Sequence, residues 1–163
     1  MTEPGALDLV GLHARLRAAS ATIGTAESLT AGLLAAELTR TPGSSATVRG
    51  GLVVYATDLK ASLAGVPEAL LTAHGPVSPQ TAAALAGGAR EVLGSTYGIA
   101  LTGVAGPEPV DDQPVGRVFV AIAGPAGTHV RRVDLPGDRD QVRAGAVAAA
   151  LVLLSESVPG SPG

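Results

Sequence analysis

The sequence predicts a three-layer α/β/α domain on a mixed, mostly parallel sheet of about five strands. Short strand-like runs alternate with stretches of helical period, the pattern that builds parallel sheets. Two late runs flank Gly124-Pro125-Ala126-Gly127, a hairpin signal that adds an antiparallel member. Hydrophobic residues make up 46% of the chain with one Phe, two Tyr and no Trp, so Ala, Val, Leu and Ile must fill the core, which suits α/β layers.

In order, residues 1–5 read as frayed. From Ala6 to about Ser20, Leu9, Leu12 and Leu16 recur at helical spacing beside Arg15 and Arg17. Thr22 to Glu27 is the first strand and Thr30 to Thr39 the second helix. That helix stops before the loop Thr41-Pro42-Gly43-Ser44-Ser45. Val48 to Tyr55 reads as a strand. Thr57 or Asp58 can cap a short helix through Leu63, and a further helical piece runs from Glu68 to Ala73. Ser78 followed by Pro79 starts a helix that runs to about Leu93 and ends at Gly94. Tyr97 to Leu101 is a strand, Thr102 to Pro114 a loop. Gly116 to Ala123 and Thr128 to Leu135 are the hairpin strands. Asp138 caps the last helix, to about Ser157, and residues 159–163 read as a disordered tail. No repeat or linker divides the chain, so residues 1–163 read as one domain with its core over about 7–157.

Composition removes several function classes. With three aromatic residues and a net charge of −3, neither a base-stacking platform nor a phosphate-backbone binder is expected, so no nucleic-acid partner. No cysteine means no disulfide, thiolate metal site or cysteine nucleophile. No apolar run is long enough to span a bilayer and the start lacks a signal-peptide pattern, so a cytoplasmic protein without a membrane partner is expected. Of eleven basic residues, ten are arginine and Lys60 is the only lysine. A site that needs an amine able to lose its proton cannot take arginine instead, so a functional Lys60 is favoured over chance survival on a solvated face.

Three segments can converge at the carboxyl ends of parallel strands, where open α/β sheets bind ligands. Glu27 and Ser28 follow the first strand. Tyr55 ends the second, with Lys60 five residues on. Thr102-Gly103-Val104-Ala105-Gly106-Pro107 follows the third. Ser28 as a plain helix cap is the alternative. A serine nucleophile needs a base. His13, His74 and His129 do not follow these strand ends, whereas a desolvated Lys60 would serve, with Tyr55 bridging the pair or holding the amine. Backbone N–H groups at Gly103 or beside Ser28 could form an oxyanion hole. Gly43, Ser44 and Ser45, with Thr102 and Gly103, are turns of a kind that cradle phosphate. Arg143 could reach an anion, while Arg139 reads as a surface residue. No set of residues has metal-ligand spacing, and no dinucleotide or ATPase fingerprint occurs, so no metal and no cofactor are expected.

Ala26-Glu27-Ser28-Leu29-Thr30-Ala31-Gly32, Pro42-Gly43-Ser44-Ser45, Tyr55 with Lys60, Thr102-Gly103-Val104-Ala105-Gly106-Pro107 and Pro114-Val115-Gly116, in that order, resemble the CinA C-terminal-domain family. The resemblance covers about residues 7 to 157. The family includes stand-alone, PncC-type nicotinamide mononucleotide deamidases. The resemblance therefore implies an amidohydrolase that converts nicotinamide mononucleotide to nicotinate mononucleotide and ammonia in pyridine nucleotide salvage. It also implies a homodimer or higher homo-oligomer and a mononucleotide as the small-molecule partner. Ser28, Lys60 and Tyr55 are then the catalytic set, and Glu27, Thr30, Gly43, Ser44, Ser45, Thr102, Gly103, Gly106 and Arg143 the substrate-binding set. The chain departs from the family where Leu29 and Ala31 replace the common Cys and Gly, and where Glu108-Pro109-Val110-Asp111-Asp112 replaces a glycine-rich loop. The alternative is a non-catalytic mononucleotide-binding module of the same fold.

Overall fold

The structure, a computed structural model, describes residues 6–160. The expectations for residues 1–5 and 161–163 lie outside the described residues. Strand β1 (Ile23–Glu27) pairs in parallel with β2 (Val48–Val53) on one side and β3 (Tyr97–Gly103) on the other. Strand β4 (Arg117–Gly124) runs antiparallel to β3, and β5 (Gly127–Asp134) antiparallel to β4. The sheet order is β2-β1-β3-β4-β5, so β4 alone runs against the other four strands.

Helices α1 (Leu9–Ala18), α2 (Leu33–Thr39) and α6 (Arg139–Ser157) cover one face. There Leu12, Leu16, Leu34, Leu38, Val142 and Leu154 bury against Ile23, Ile99, Val120 and Ile122. The other face is covered by α5 (Pro79–Leu93) and by the segment holding α3 (Thr57–Ser62) and α4 (Glu68–His74). Leu85, Ala86 and Ala89 pack there against Ala26, Ala100 and Ala121. Central strands β1 and β3 are buried on both faces, so neither alternates buried with exposed residues. Among the described residues no helix is long and apolar enough to cross a membrane.

Several boundaries differ from expectation for local reasons. Helix α1 begins at Leu9 because the Asp8 carboxylate accepts from the Gly11 N–H. Helix α2 begins at Leu33, not Thr30, because Ala31 and Gly32 take left-handed φ values of 48° and 100°. Neither Thr57 nor Asp58 caps α3; its N-cap is Ala56, with no side-chain bond. Part of the loop before β2 coils into a short 3₁₀ turn, Ser44–Ala46.

One buried polar pair ties α1 to that loop. His13 is fully buried, with Nε2 donating to the Leu38 carbonyl at 2.9 Å and Nδ1 2.7 Å from Thr47 Oγ1. Burial lowers its pKa from the ordinary value, with the Arg17 charge adding to the effect and the Leu38 hydrogen bond opposing it. The unfolded chain then binds a proton that the folded chain resists, so stability present above about pH 6.5 is lost as pH falls toward the lowered value. Thermal scans from pH 7.5 to 5 are expected to show a steeper acid loss for the wild type than for His13→Gln, which starts about 1–3 kcal/mol less stable. Parallel pH curves would refute the assignment.

Candidate active site

Parallel pairing of β2, β1 and β3 brings their carboxyl ends to one edge of the sheet. Ser28 directly follows β1, and its N–H donates to the Leu101 carbonyl on β3 at 3.0 Å, which fixes its backbone. Residue alternation along β1 turns Thr25 and Glu27 toward α2 and leaves Ser28 on the opposite side, facing α3. Lys60 rises from α3 into the same space and is 1% exposed.

The two side chains meet. Lys60 Nζ lies 3.0 Å from Ser28 Oγ, 2.7 Å from the Val54 carbonyl oxygen and 3.3 Å from the Tyr55 carbonyl oxygen. A neutral amine has two N–H groups and one lone pair. The two carbonyls can only accept, so they take the two N–H groups and leave the lone pair facing the serine hydroxyl. No carboxylate forms an ion pair with Lys60 among the described residues. Burial pushes the amine down to about 8 from 10.5, so about a tenth is unprotonated at pH 7 and about half at pH 8. Ser28 is thus not a helix cap: α2 is capped at Gly32 and the serine oxygen belongs to Lys60.

The pair lies in a cleft of about 210 Å³ whose walls include Thr102, Gly103, Gly106, Tyr55, Glu108 and Arg139. The Thr102 hydroxyl donates to the Pro76 carbonyl at 2.6 Å, pinning the β3 end to the loop that forms the far wall. The backbone N–H groups of Leu29, Ala105 and Gly106 border the cleft and have no partner among the described residues. They are available to an oxyanion. A larger hollow of about 620 Å³ lies at the opposite sheet end by Tyr97, His129 and Arg131, with no paired nucleophile and base.

Other expected site residues lie elsewhere. The Glu27 carboxylate accepts from Thr30 Oγ1 at 2.7 Å and from the N–H groups of Leu34 at 2.8 Å and Ala35 at 3.1 Å. It serves as the anion at the start of α2, and with Thr30 it lies outside the cleft. Gly43, Ser44 and Ser45 precede β2, so a strand parallel to β1 puts them at the amino end of the sheet, away from Lys60. The Tyr55 phenol does not bridge Ser28 and Lys60. It points to the rim, 56% exposed, and Tyr55 holds the amine through its backbone carbonyl alone, beside that of Val54. Arg143 does not line the cleft either; its Nε donates to the Leu29 carbonyl at 3.0 Å, bracing the residue after Ser28. Arg139, which the sequence reading set aside, is the arginine at the mouth. The spacing put Arg139 on the same helix face as Arg143, since residues four apart are neighbours there, but did not single it out.

Comparison with known proteins agrees with this architecture. The sequence profile of the CinA C-terminal domain matches residues 10–158. A CinA-like protein of Frankia casuarinae is 56% identical over 143 residues, 88% of this chain and 33% of that protein. The crystal structure of a competence-damaged protein (CinA) superfamily protein from Klebsiella pneumoniae superposes with a TM-score of 0.88 at 30% identity, covering 92% of this chain and 94% of the other. The competence/damage inducible protein CihA from Agrobacterium tumefaciens superposes with a TM-score of 0.83 at 34% identity, covering 94% and 97%. The chain spans about a third of the length of the curated relatives it matches. By profile, sequence and fold, the chain belongs to the CinA C-terminal domain family.

Proposed function

We propose that the chain is an amidohydrolase that deamidates nicotinamide mononucleotide to nicotinate mononucleotide and ammonia, with Ser28 as nucleophile and Lys60 as base. The observation that carries this reading is the 3.0 Å contact between a buried amine and a buried hydroxyl, with two carbonyls holding the amine in place. Ser28 Oγ attacks the carboxamide carbon as its proton passes to the Lys60 lone pair. The oxyanion that forms is within the neighbourhood of the Leu29, Ala105 and Gly106 N–H groups. The Lys60 ammonium then gives its proton to the amide nitrogen, the C–N bond breaks and ammonia leaves an ester on Ser28. Water attacks that ester, Lys60 takes the water proton and returns it to Ser28, and the acid is released.

Ammonia release from nicotinamide mononucleotide, with nicotinamide and nicotinamide riboside as controls, tests the reaction. Only the unprotonated amine is competent, so kcat/KM is expected to rise about tenfold per pH unit below about pH 8 and to flatten above it. At pH 7 about a tenth of the enzyme would be in the active form. Tight binding without ammonia release, unchanged in Ser28→Ala, would overturn the reading, and a rate falling with pH would exclude Lys60 as base.

A further inference from the structure

Arg139 is a cleft residue that is charged at any ordinary pH and has no ion-pair partner among the described residues. Helix α6 starts at it, behind the Asp138 cap, and its guanidinium reaches back across the cleft mouth. Nη1 donates to the Gly106 carbonyl at 2.6 Å and Nη2 to the Tyr55 hydroxyl at 3.0 Å. Both acceptors are neutral. Among the described residues no carboxylate lies within 4.0 Å of this guanidinium, Glu108 on the same cleft wall included. Asp138 accepts from the Gln141 N–H instead. A guanidinium has five N–H donors, so three stay free after these two bonds. The two bonds fix the plane of the group before any ligand arrives, which lowers the ordering cost of binding.

A fixed planar fork with free donors and an uncompensated charge fits a phosphate or carboxylate better than a neutral group. The interior of the cleft offers the opposite chemistry. Around Ser28 it is lined by Val77, Val104 and Ala105, and burial pulls the Lys60 amine toward its neutral form, which predominates only above about pH 8. The cleft therefore has apolar walls beside Ser28 and a fixed guanidinium at its mouth, with Glu108 on the same lining but outside ion-pair distance of it.

We propose that Arg139 is the residue that recognises the anionic end of the substrate, binding its phosphate at the rim while the amide sits at Ser28. This rests on the amidohydrolase reading for the reacting end, but the anion contact itself can be tested without turnover. The first experiment compares kcat/KM for nicotinamide mononucleotide and nicotinamide riboside, which differ by the phosphate. In the wild type the mononucleotide should be preferred, and Arg139→Ala should reduce that preference at least about tenfold, chiefly through KM. Arg139→Lys should restore part of it, and Tyr55→Phe, which removes the hydroxyl but leaves the charge, should keep it. A preference unchanged in Arg139→Ala would overturn the proposal and leave Arg139 as a strut between Tyr55 and Gly106.

The second experiment titrates ribose 5-phosphate into the wild type and Arg139→Ala by calorimetry. Binding that is lost in the variant supports the anion contact even if no amide is hydrolysed, in which case only the amidohydrolase reading fails. Equal binding by both proteins, or binding by neither, overturns it.

Discussion

Lys60→Arg is expected to lower ammonia release by a factor of about 10³ or more at every pH up to 10, with the fold retained. General-base and nucleophile activation together are worth factors of this order. The reason is protonation rather than charge. A guanidinium stays charged at any pH the protein survives, so it has no lone pair to offer Ser28 Oγ. The wild-type amine, lowered to about 8 by burial, has one. The substitution also puts a larger permanent charge at a position that is 1% exposed, so loss of activity alone could reflect misfolding. Lys60→Met separates the two. It nearly preserves volume, removes the charge and leaves the Val54 and Tyr55 carbonyls to cleft water. Both variants should give wild-type circular dichroism with midpoints within several degrees of the wild type, and neither should recover activity as pH rises. Full activity in Lys60→Arg would remove Lys60 from the mechanism.

The Ser28–Lys60 pair was legible because two independent signals met. The lone lysine stood out against ten arginines, and a serine stood where a strand gives way to a helix. What sequence lacked was strand direction, and the parallel pairing of β1 with β2 and β3 supplies it. The same rule corrects the Gly43-Ser44-Ser45 expectation. A loop that enters a strand parallel to β1 must lie at the amino end of the sheet, however well its residues suit phosphate. Glu27 and Ser28 are neighbours with opposite orientations, a consequence of the period of two along a strand, so a hydroxyl and a carboxylate adjacent in sequence do not share a pocket.

Arg139 and Arg143 illustrate a limit of a different kind. Four residues apart, they share one face of α6, and periodicity cannot say which reaches the mouth. The answer depends on where Asp138 starts the helix and on the height of Leu29 and Gly106 against it, which are tertiary facts. Ala31 shows the converse. It holds a left-handed φ of 48°, a conformation glycine adopts without cost, which gives a backbone reason for the glycine common there in the family.

The geometry of the pair also depends on a helix that lines no part of the cleft. Helix α5 contains Gly87-Gly88, two poor helix formers side by side. A Cβ at Gly88 would collide with the Ala64 carbonyl oxygen, whereas one at Gly87 would meet nothing within 4 Å. Ala64 is 1% exposed and lies four residues past Lys60, and the Val66 N–H donates to the Lys60 carbonyl at 3.1 Å. The turn that follows α3 therefore rests directly on bare α5 backbone. On its other side α5 presses on β3 at Gly98, where a Cβ would strike the Ala86 carbonyl. The sheet, α5 and the Lys60 segment thus form a stack spaced by two missing methyl groups. Gly88→Ala must push the Lys60 segment outward, with an expected destabilisation of about 2–4 kcal/mol. Its kcat should also fall, because displacing a catalytic group by about 1 Å can cost a factor near 10². Gly87→Ala removes the same helix-forming penalty without a clash and should stabilise by up to about 1 kcal/mol at unchanged kcat. Thermal denaturation and ammonia release on the two variants decide the matter. Equal midpoints in both would mean that the backbone contact at Gly88 does not set the height of Lys60 above the sheet.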